Sequence, residues 1–247
     1  MVAGTKWSEY CVLDASACQE IREVDGVGLT QYLGALGLTG LTAWYGLVEV
    51  VKASAEDGTV VVSGAAGATG SMVVQIAKKM LGVKRVVGIA GTEEKCRWVE
   101  GLGADVCLNY KSKGFKEELV KATDGFVEVY FDNVGGEILD LMLTRMKKFG
   151  RVAACGTISG YNGEERAGLK NYLEVIMNRL EIKGFVVIDY FQKAGEARER
   201  FLKAVKEGKL TVGENETVVD ADFEDIPKTW LKLFEGGNMG KLVTKLP

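Results

Sequence analysis

Residues 60–81 read VVVSGAAGATGSMVVQIAKKML, and this stretch decides the fold. It opens with three valines, passes through a turn of small residues and continues with apolar residues at helical spacing. Strand, glycine turn and helix form the opening unit of a dinucleotide-binding βαβ fold, and Ala65-x-Gly67-x-x-Gly70 matches its fingerprint with alanine in the first glycine position. Gly67 would let the backbone approach a pyrophosphate, and Gly70 would let helix and strand pack closely. A tight turn with a purely structural role is the alternative.

The end of the second predicted strand, residues 85–89, indicates which dinucleotide is bound. An NAD site has an acidic residue there for the ribose 2′-hydroxyl, but residues 90–92 read AGT. Lys95 follows one helical turn later, close to Arg97. A missing acid with cations nearby favours the extra phosphate of NADP over NAD. The alternative is that Lys95 and Arg97 are simply solvated charges on a helix.

Strands and helices alternate through the chain, which predicts an α/β fold with a doubly wound parallel sheet. Ligands of such sheets bind beyond the carboxyl ends of the strands, which places 109–110, Asn133 and 155–159 on one rim with the glycine turn. The predicted strands are 59–62, 85–89, 106–109, 126–131, 151–154, 182–188, 216–219 and a last strand ending at 244. The predicted helices lie within 28–51 and at 71–81, 93–102, 115–122, up to 146, 169–179, 194–207 and 223–234.

The composition narrows the function further. A net charge of −3 over 247 residues gives no indication of nucleic-acid binding, and no apolar run is long enough to span a membrane. The N-terminus does not resemble a signal peptide, so we predict a cytoplasmic protein. Five scattered cysteines without a C-x-x-C read as reduced thiols. The chain has no histidine, which excludes a histidine-ligated zinc and histidine-dependent nucleophiles, and we predict no metal site.

Six motifs together resemble a known family: GLTAW at 40–44, AAGATGS at 65–71, FDNVGG at 131–136, CGTISGYN at 155–162, KGFVV at 183–187 and NMGK at 238–241. In this order they resemble the zinc-independent, medium-chain NADP-dependent reductases, which include alkenal double-bond reductases, prostaglandin reductases and the curcumin reductase group. The resemblance implies a Rossmann-type nucleotide domain at 26–220, preceded at 1–25 by a remnant of a GroES-like β domain. Residues 221–247 would return to that remnant. Most of the GroES-like domain is expected to be missing, in a fragment, an alternative gene model or a natural truncation.

The resemblance also implies the site residues. Tyr161 is the expected catalytic hydrogen-bond donor to the enone oxygen, with a surface loop tyrosine as the alternative. Asn133 and Asn238 have structural alternatives as turn formers, and Cys155 is better explained as a small buried residue than as a nucleophile. The cofactor-binding residues implied by the family or by the glycine motif are Gly67, Ala68, Thr69, Gly70, Lys95, Tyr110, Asn133, Cys155, Thr157, Ile158, Phe185, Val187 and Asn238.

The activity implied is NADPH-dependent reduction of the C=C bond in a small α,β-unsaturated carbonyl substrate. One alternative is a truncated NADP-binding remnant with little or no turnover, and another is a quinone reductase of the same superfamily. The resemblance further implies a homodimer that pairs the edge strands of two nucleotide domains.

Overall fold

A six-stranded, entirely parallel sheet forms the centre of the protein, in a computed structural model that describes residues 7–18, 20–21, 24–161 and 168–247. The strand order is β3-β2-β1-β4-β5-β6, in which the chain starts in the middle, runs to one edge and then returns to build the other. This order is that of the Rossmann-type dinucleotide-binding sheet, as predicted. The strands are β1 (Thr59–Ser63), β2 (Arg85–Ala90), β3 (Val106–Asn109), β4 (Val127–Asp132), β5 (Met146–Ala154) and β6 (Glu181–Gly184).

Helices cover both faces of this sheet, because successive strand residues point to opposite sides. Val60 and Val62 pack in one apolar cluster with Val73 and Phe201, whereas Val61 packs in the other with Leu119. The helices are α1 (Leu38–Tyr45), α2 (Ala68–Gln75), α3 (Glu93–Leu102), α4 (Phe115–Ala122), α5 (Gly136–Leu143), α6 (Leu173–Met177), α7 (Ala194–Lys206) and α8 (Ile226–Glu235). One π-helical turn, Gly46–Val50, follows α1, and a second, Ile76–Met80, extends α2.

The C-terminal part adds a separate two-stranded parallel sheet of β7 (Glu216–Asp220) and β8 (Lys241–Lys245), with α8 between its strands. It is joined to the main domain by the buried Gln75 of α2, whose side-chain amide both donates to and accepts from the backbone of Thr211. Gly240, immediately before β8, also donates its N–H to the Ala66 carbonyl in the glycine turn. The end of the chain is therefore hydrogen-bonded to the turn that the sequence singled out.

Several predicted segments differ from the structure. The helix expected to reach Met146 ends at Leu143, because Met146 already pairs with Val127 as the first residue of β5. The strand expected at 182–188 ends at Gly184, and Val187–Lys193 forms a 3₁₀ helix that buries Val187.

The helix expected within 28–51 is interrupted before α1, after a short 3₁₀ helix at Leu29–Tyr32. Only Leu173–Met177 of the helix expected at 169–179 is helical. In the expected remnant of the GroES-like β domain, residues 7–14 form no strand. Residues 1–6 lie outside the part of the chain that the structure describes. Within the described residues, no helix combines the length and the apolar character needed to cross a membrane.

Candidate dinucleotide site

The glycine turn between β1 and α2 brings two backbone segments into close contact. A Cβ atom on Gly70 would lie 2.2 Å from the carbonyl oxygen of Gly64 and 2.8 Å from Cα of Ala65. Gly64 itself has a left-handed φ of +59°. On Gly67 an added Cβ would come no closer than 3.2 Å to the Gly64 oxygen. Gly70 is therefore required for the contact between helix and strand, and Gly67 is more open.

Helix α2 begins directly at this turn. Gly67 is the residue that caps α2, and as a glycine it has no side chain to accept a hydrogen bond from the first turn of the helix. The first N–H groups of an α-helix have no partner within the helix and lie at its positive end. Ala68 and Thr69 are half-buried there, with no acidic residue in the first turn. Such a helix start is suited to phosphate oxygens.

The exit of β4 is held rigidly by one buried carboxylate. Oδ1 of Asp132 accepts hydrogen bonds from the hydroxyls of Ser63 and Tyr130 and from the backbone N–H groups of Val134 and Gly135. Burial and the adjacent carboxylate raise the pKa of Tyr130, so its hydroxyl remains a donor. Asp132 therefore has a structural role at the exit of β4.

Asn133 follows on the same rim and is tied to the end of β1. Its side-chain amide donates to the Ser63 carbonyl over 2.7 Å, and its N–H donates to the Ser63 hydroxyl. The half-buried Asn133 thus links the ends of two central strands, beside Gly64. This contact agrees with the structural alternative for Asn133 and also fixes it next to the glycine turn.

The loop after β5 packs against the loop after β4. The Ser159 hydroxyl donates to the Val134 carbonyl, and the Tyr161 hydroxyl lies 3.5 Å from the position of a Cβ on Gly156. Tyr161 remains 63% exposed, so this loop presents its phenol to the rim. Burial, assisted by Asp132, raises the pKa of the Cys155 thiol to about 12, which agrees with an unreactive cysteine.

Thr157 and Ile158 occupy different environments in this loop. The Thr157 side chain lies against Gly135, where an added Cβ would approach its hydroxyl to 2.8 Å. Ile158 is exposed, and its side chain is open to a ligand on the rim.

Beyond β6, two predicted cofactor-binding residues direct their side chains into the core. The Phe185 ring packs edge-on against Phe131, with ring centres 6.2 Å apart, and both rings cover Gly46. Val187 is buried in the core. A cofactor contact at these positions would therefore use the backbone of the segment, or its exposed neighbours Val186 and Ile188.

The other end of the rim, after β2 and β3, carries positive charge. Lys95 in the first turn of α3 is half-buried, and burial together with the nearby Lys111 lowers its pKa. The Tyr110 ring lies against Gly91, and the ammonium of Lys111 is 5.8 Å from the centre of that ring. The ammonium of Lys95 donates to the carbonyl of Gly236 over 2.8 Å.

Asn238 lies in the turn that precedes β8 and meets the glycine turn. Its side-chain amide donates to the Gly240 carbonyl, while Gly240 pairs as an isolated parallel bridge with Gly67. Asn238 therefore supports its own turn, as the structural alternative proposed, and this turn lies beside the glycine turn.

One rim of the sheet thus holds the predicted residues in spatial order: Lys95 and Tyr110, then the glycine turn, then Asn133, and then the 155–161 loop. Sequence reasoning missed Lys111 and Gly236. Lys111 could have been found, because it directly follows Tyr110, but nothing local marks the carbonyl of Gly236. Among the residues that the structure describes, no cluster of three or more metal-ligating side chains is present.

The order of the strands, the glycine turn and the polar rim at the carboxyl ends of the strands together define a dinucleotide-binding domain. The family model for zinc-binding dehydrogenases matches residues 68–207, more than half of the chain, and the protein belongs to this family. The family's description mentions zinc, and this chain has no histidine that could ligate that metal.

Two curated relatives and one solved structure illustrate the similarity. Prostaglandin reductase 1 of Bos taurus is 42% identical over 177 residues, which are 69% of this chain and 51% of the relative. The NADP(+)-dependent 2-alkenal reductase of Nicotiana tabacum is 38% identical over 168 residues, which are 67% and 48% of the two chains. The protein spans about half the length of these curated relatives. The crystal structure of CurA from Vibrio vulnificus in complex with NADPH superposes with a TM-score of 0.80 and 34% identity, covering 88% of this chain and 65% of CurA.

Proposed function

We propose that the protein binds NADP(H) and acts as a reductase of the C=C bond in α,β-unsaturated carbonyl compounds. The observation that carries this proposal is the half-buried Lys95 just after β2, where an NAD site would have a carboxylate, with Lys111 nearby after β3. The similarity to an NADP(+)-dependent alkenal reductase and to an NADPH-bound structure supports the same cofactor and substrate class.

The residues present fit such a cofactor. The start of α2 would offer its first N–H groups to a pyrophosphate, and Gly67 has no side chain that would keep the phosphate from the turn. Lys95, Lys111 and the exposed Tyr110 would hold the 2′-phosphate of the adenosine end. Asn133 and the loop of Cys155, Thr157 and Ile158 would then line the path toward the nicotinamide end.

Bound NADPH would supply the hydride that is added to the β carbon of the substrate. This chain must then stabilise the negative charge that develops on the carbonyl oxygen. Tyr161 is the residue we assign to that role, because its exposed phenol can donate a hydrogen bond from the rim. No histidine is needed for this chemistry, in accordance with the composition.

Binding and turnover are tested separately. A fluorescence titration with NADPH and with NADH should show tighter binding of NADPH, and oxidation of NADPH should then be followed with a small enone. The Tyr161→Phe variant should lose about 10²-fold in kcat and keep its Kd for NADPH, because it removes only a donor to the developing oxyanion. Tyr172→Phe, which alters an exposed tyrosine at the start of α6, is the matched control and should behave as wild type. Equal activity of both variants would remove Tyr161 from the mechanism.

The same experiment also tests two alternative functions. NADPH binding without oxidation of any enone would favour a nucleotide-binding remnant with little turnover. The exposed apolar side chains of Ile158, Val186 and Ile188 beside the rim are compatible with that alternative, since a substrate cleft needs a second wall. Faster oxidation with a quinone than with an alkenal would favour a quinone reductase.

The homodimer stays a proposal. β6 is the last strand of the sheet, and its outer edge together with the exposed Ile182 could pair with a second copy. Size-exclusion chromatography with light scattering tests this arrangement. The division at residues 25 and 220 and the cytoplasmic location also stay predictions.

A further inference from the structure

The five residues from Gly236 to Gly240, which we call the C-terminal strap, connect α8 to β8 across the predicted cofactor site. At its start, the Gly236 carbonyl accepts a hydrogen bond from the ammonium of Lys95 over 2.8 Å. At its end, Gly240 donates its N–H to the Ala66 carbonyl of the glycine turn, also over 2.8 Å. The strap therefore contacts both places where the sequence predicts phosphate binding.

The carbonyl of Gly236 is a favourable partner for a lysine. Gly236 ends α8 in a left-handed conformation with a φ of +68°. The last carbonyls of a helix lack partners within the helix and lie at its negative end, which attracts a cation. This partner is neutral, so the hydrogen bond orders the Lys95 side chain without cancelling its charge. Lys111 nearby adds to the positive potential, and Glu94 offsets part of it.

We propose that Gly236 is a positioning residue, whose carbonyl holds the Lys95 ammonium in place for a 2′-phosphate and so makes the C-terminal strap part of the selection of NADP over NAD. This inference rests on the proposed function. A lysine ammonium has three N–H donors. One is used by Gly236, and two are left for phosphate oxygens. The same lysine can therefore bind the phosphate and the strap together.

The expected size of the effect follows from the order that the hydrogen bond imposes. A free lysine side chain must be immobilised when the phosphate binds, whereas a side chain already held by Gly236 has lost most of its freedom. Loss of this arrangement should weaken binding of NADP⁺ by about three- to tenfold, the usual cost of ordering one flexible side chain. Binding of NAD⁺, which has no 2′-phosphate, should not change.

A pair of glycine substitutions separates this effect from a general loosening of the strap. Gly236→Val places a β-branched residue at a left-handed φ, which the chain must leave, so the carbonyl is displaced from Lys95. Gly237→Val is the matched control, because Gly237 has no left-handed φ and an added Cβ meets nothing within 4 Å. Kd values for NADP⁺ and NAD⁺ are measured by calorimetry on wild type and both variants, and thermal unfolding is recorded beside them.

The inference predicts a three- to tenfold rise in Kd only for Gly236→Val and only with NADP⁺. An equal loss for NADP⁺ and NAD⁺, or no loss, would overturn it. A wild-type protein that does not bind NADP⁺ would instead overturn the proposed function, so the two failures are distinguishable.

Hydrogen exchange on the wild type provides a second measurement if Gly236→Val does not fold. Adenosine 2′,5′-bisphosphate should slow exchange of the strap amides by about threefold or more, because Lys95 would link the 2′-phosphate to Gly236. Adenosine 5′-monophosphate, which differs from the bisphosphate only by lacking the 2′-phosphate, is the matched ligand and should leave these amides unchanged. Equal protection by both ligands would refute the role of Gly236.

Discussion

Replacing Gly70 by alanine tests the geometry on which the site depends. The added Cβ would lie 2.2 Å from the Gly64 carbonyl oxygen, which is 1.2 Å short of the 3.4 Å at which ordinary contact begins. It would also lie 2.8 Å from Cα of Ala65. Both obstacles are backbone atoms, so no side chain can rotate away, and the start of α2 must move outward by about the same distance.

The energetic cost can be estimated from the packing around this helix. Inserting a methyl group into a well-packed core costs about 1–3 kcal/mol, and backbone obstacles place Gly70→Ala at the upper end. Alanine regains up to about 1 kcal/mol as the better helix former. The net loss should be about 2 kcal/mol, which lowers Tm by about 4–8 °C in a chain of this size.

The displacement should also weaken cofactor binding, because the first N–H groups of α2 move away from the pyrophosphate. A hydrogen bond to a charged group contributes about 1.5–3 kcal/mol, so loss of one should raise the Kd for NADP⁺ by about tenfold or more. Thermal unfolding and calorimetric titration measure the two effects on the same sample.

Two other glycines serve as controls. An alanine at Gly101, in the last turn of α3, would meet nothing within 4 Å and should leave stability unchanged or slightly raised. An alanine at Gly67 would approach the Gly64 oxygen to 3.2 Å and should give an intermediate result. If Gly70→Ala unfolded at the temperature of Gly101→Ala and bound NADP⁺ as wild type does, the close contact would not be required and the reasoning would be refuted.

Two further predictions concern the buried Asp132 and the half-buried Cys155. Asp132→Ala leaves four donors without their acceptor and should lower the free energy of unfolding by about 3 kcal/mol or more, whereas Asp132→Asn keeps an acceptor oxygen and should lose less. Urea denaturation checks this, and equal losses would contradict it. Cys155 has a pKa of about 12 in the folded protein and about 9.0 in the unfolded chain, so the unfolded chain releases the thiol proton first. The contribution of Cys155 to stability should therefore fall as the pH rises from about 9 to 12. Iodoacetamide at pH 8 should accordingly label the exposed Cys11 well before Cys155, as mass spectrometry would show, and equal labelling rates would argue against the burial.

Regular elements with a strong local pattern were predicted closely. Glu93–Leu102, Val106–Asn109 and Phe115–Ala122 have the bounds expected from their apolar spacing. The errors lie where local pattern and tertiary contact disagree. Residues 185–188 are apolar enough for a strand, but beyond Gly184 they leave the neighbouring strand, and only Val187 is buried.

The candidate site likewise contains residues that the sequence could identify and contacts that it could not. Gly67, Gly70, Lys95 and Tyr110 could be identified because each lies in a motif or a few residues from one. The acceptor for Lys95 could not be identified, since Gly236 is 141 positions away along the chain. The structural bond that Asn133 makes to Ser63 likewise depends on how two strand ends meet.

The sequence by itself determined the class of fold, the glycine turn and the presence of lysines after β2 and β3. These properties depend on residue type and on short-range spacing, which a linear chain displays directly. Only the tertiary structure decided that Asp132 holds the exit of β4, that Phe185 faces the core and that the C-terminal strap contacts both Lys95 and the glycine turn. Such contacts arise between atoms that are distant in sequence, and they are set by the packing of whole strands and helices.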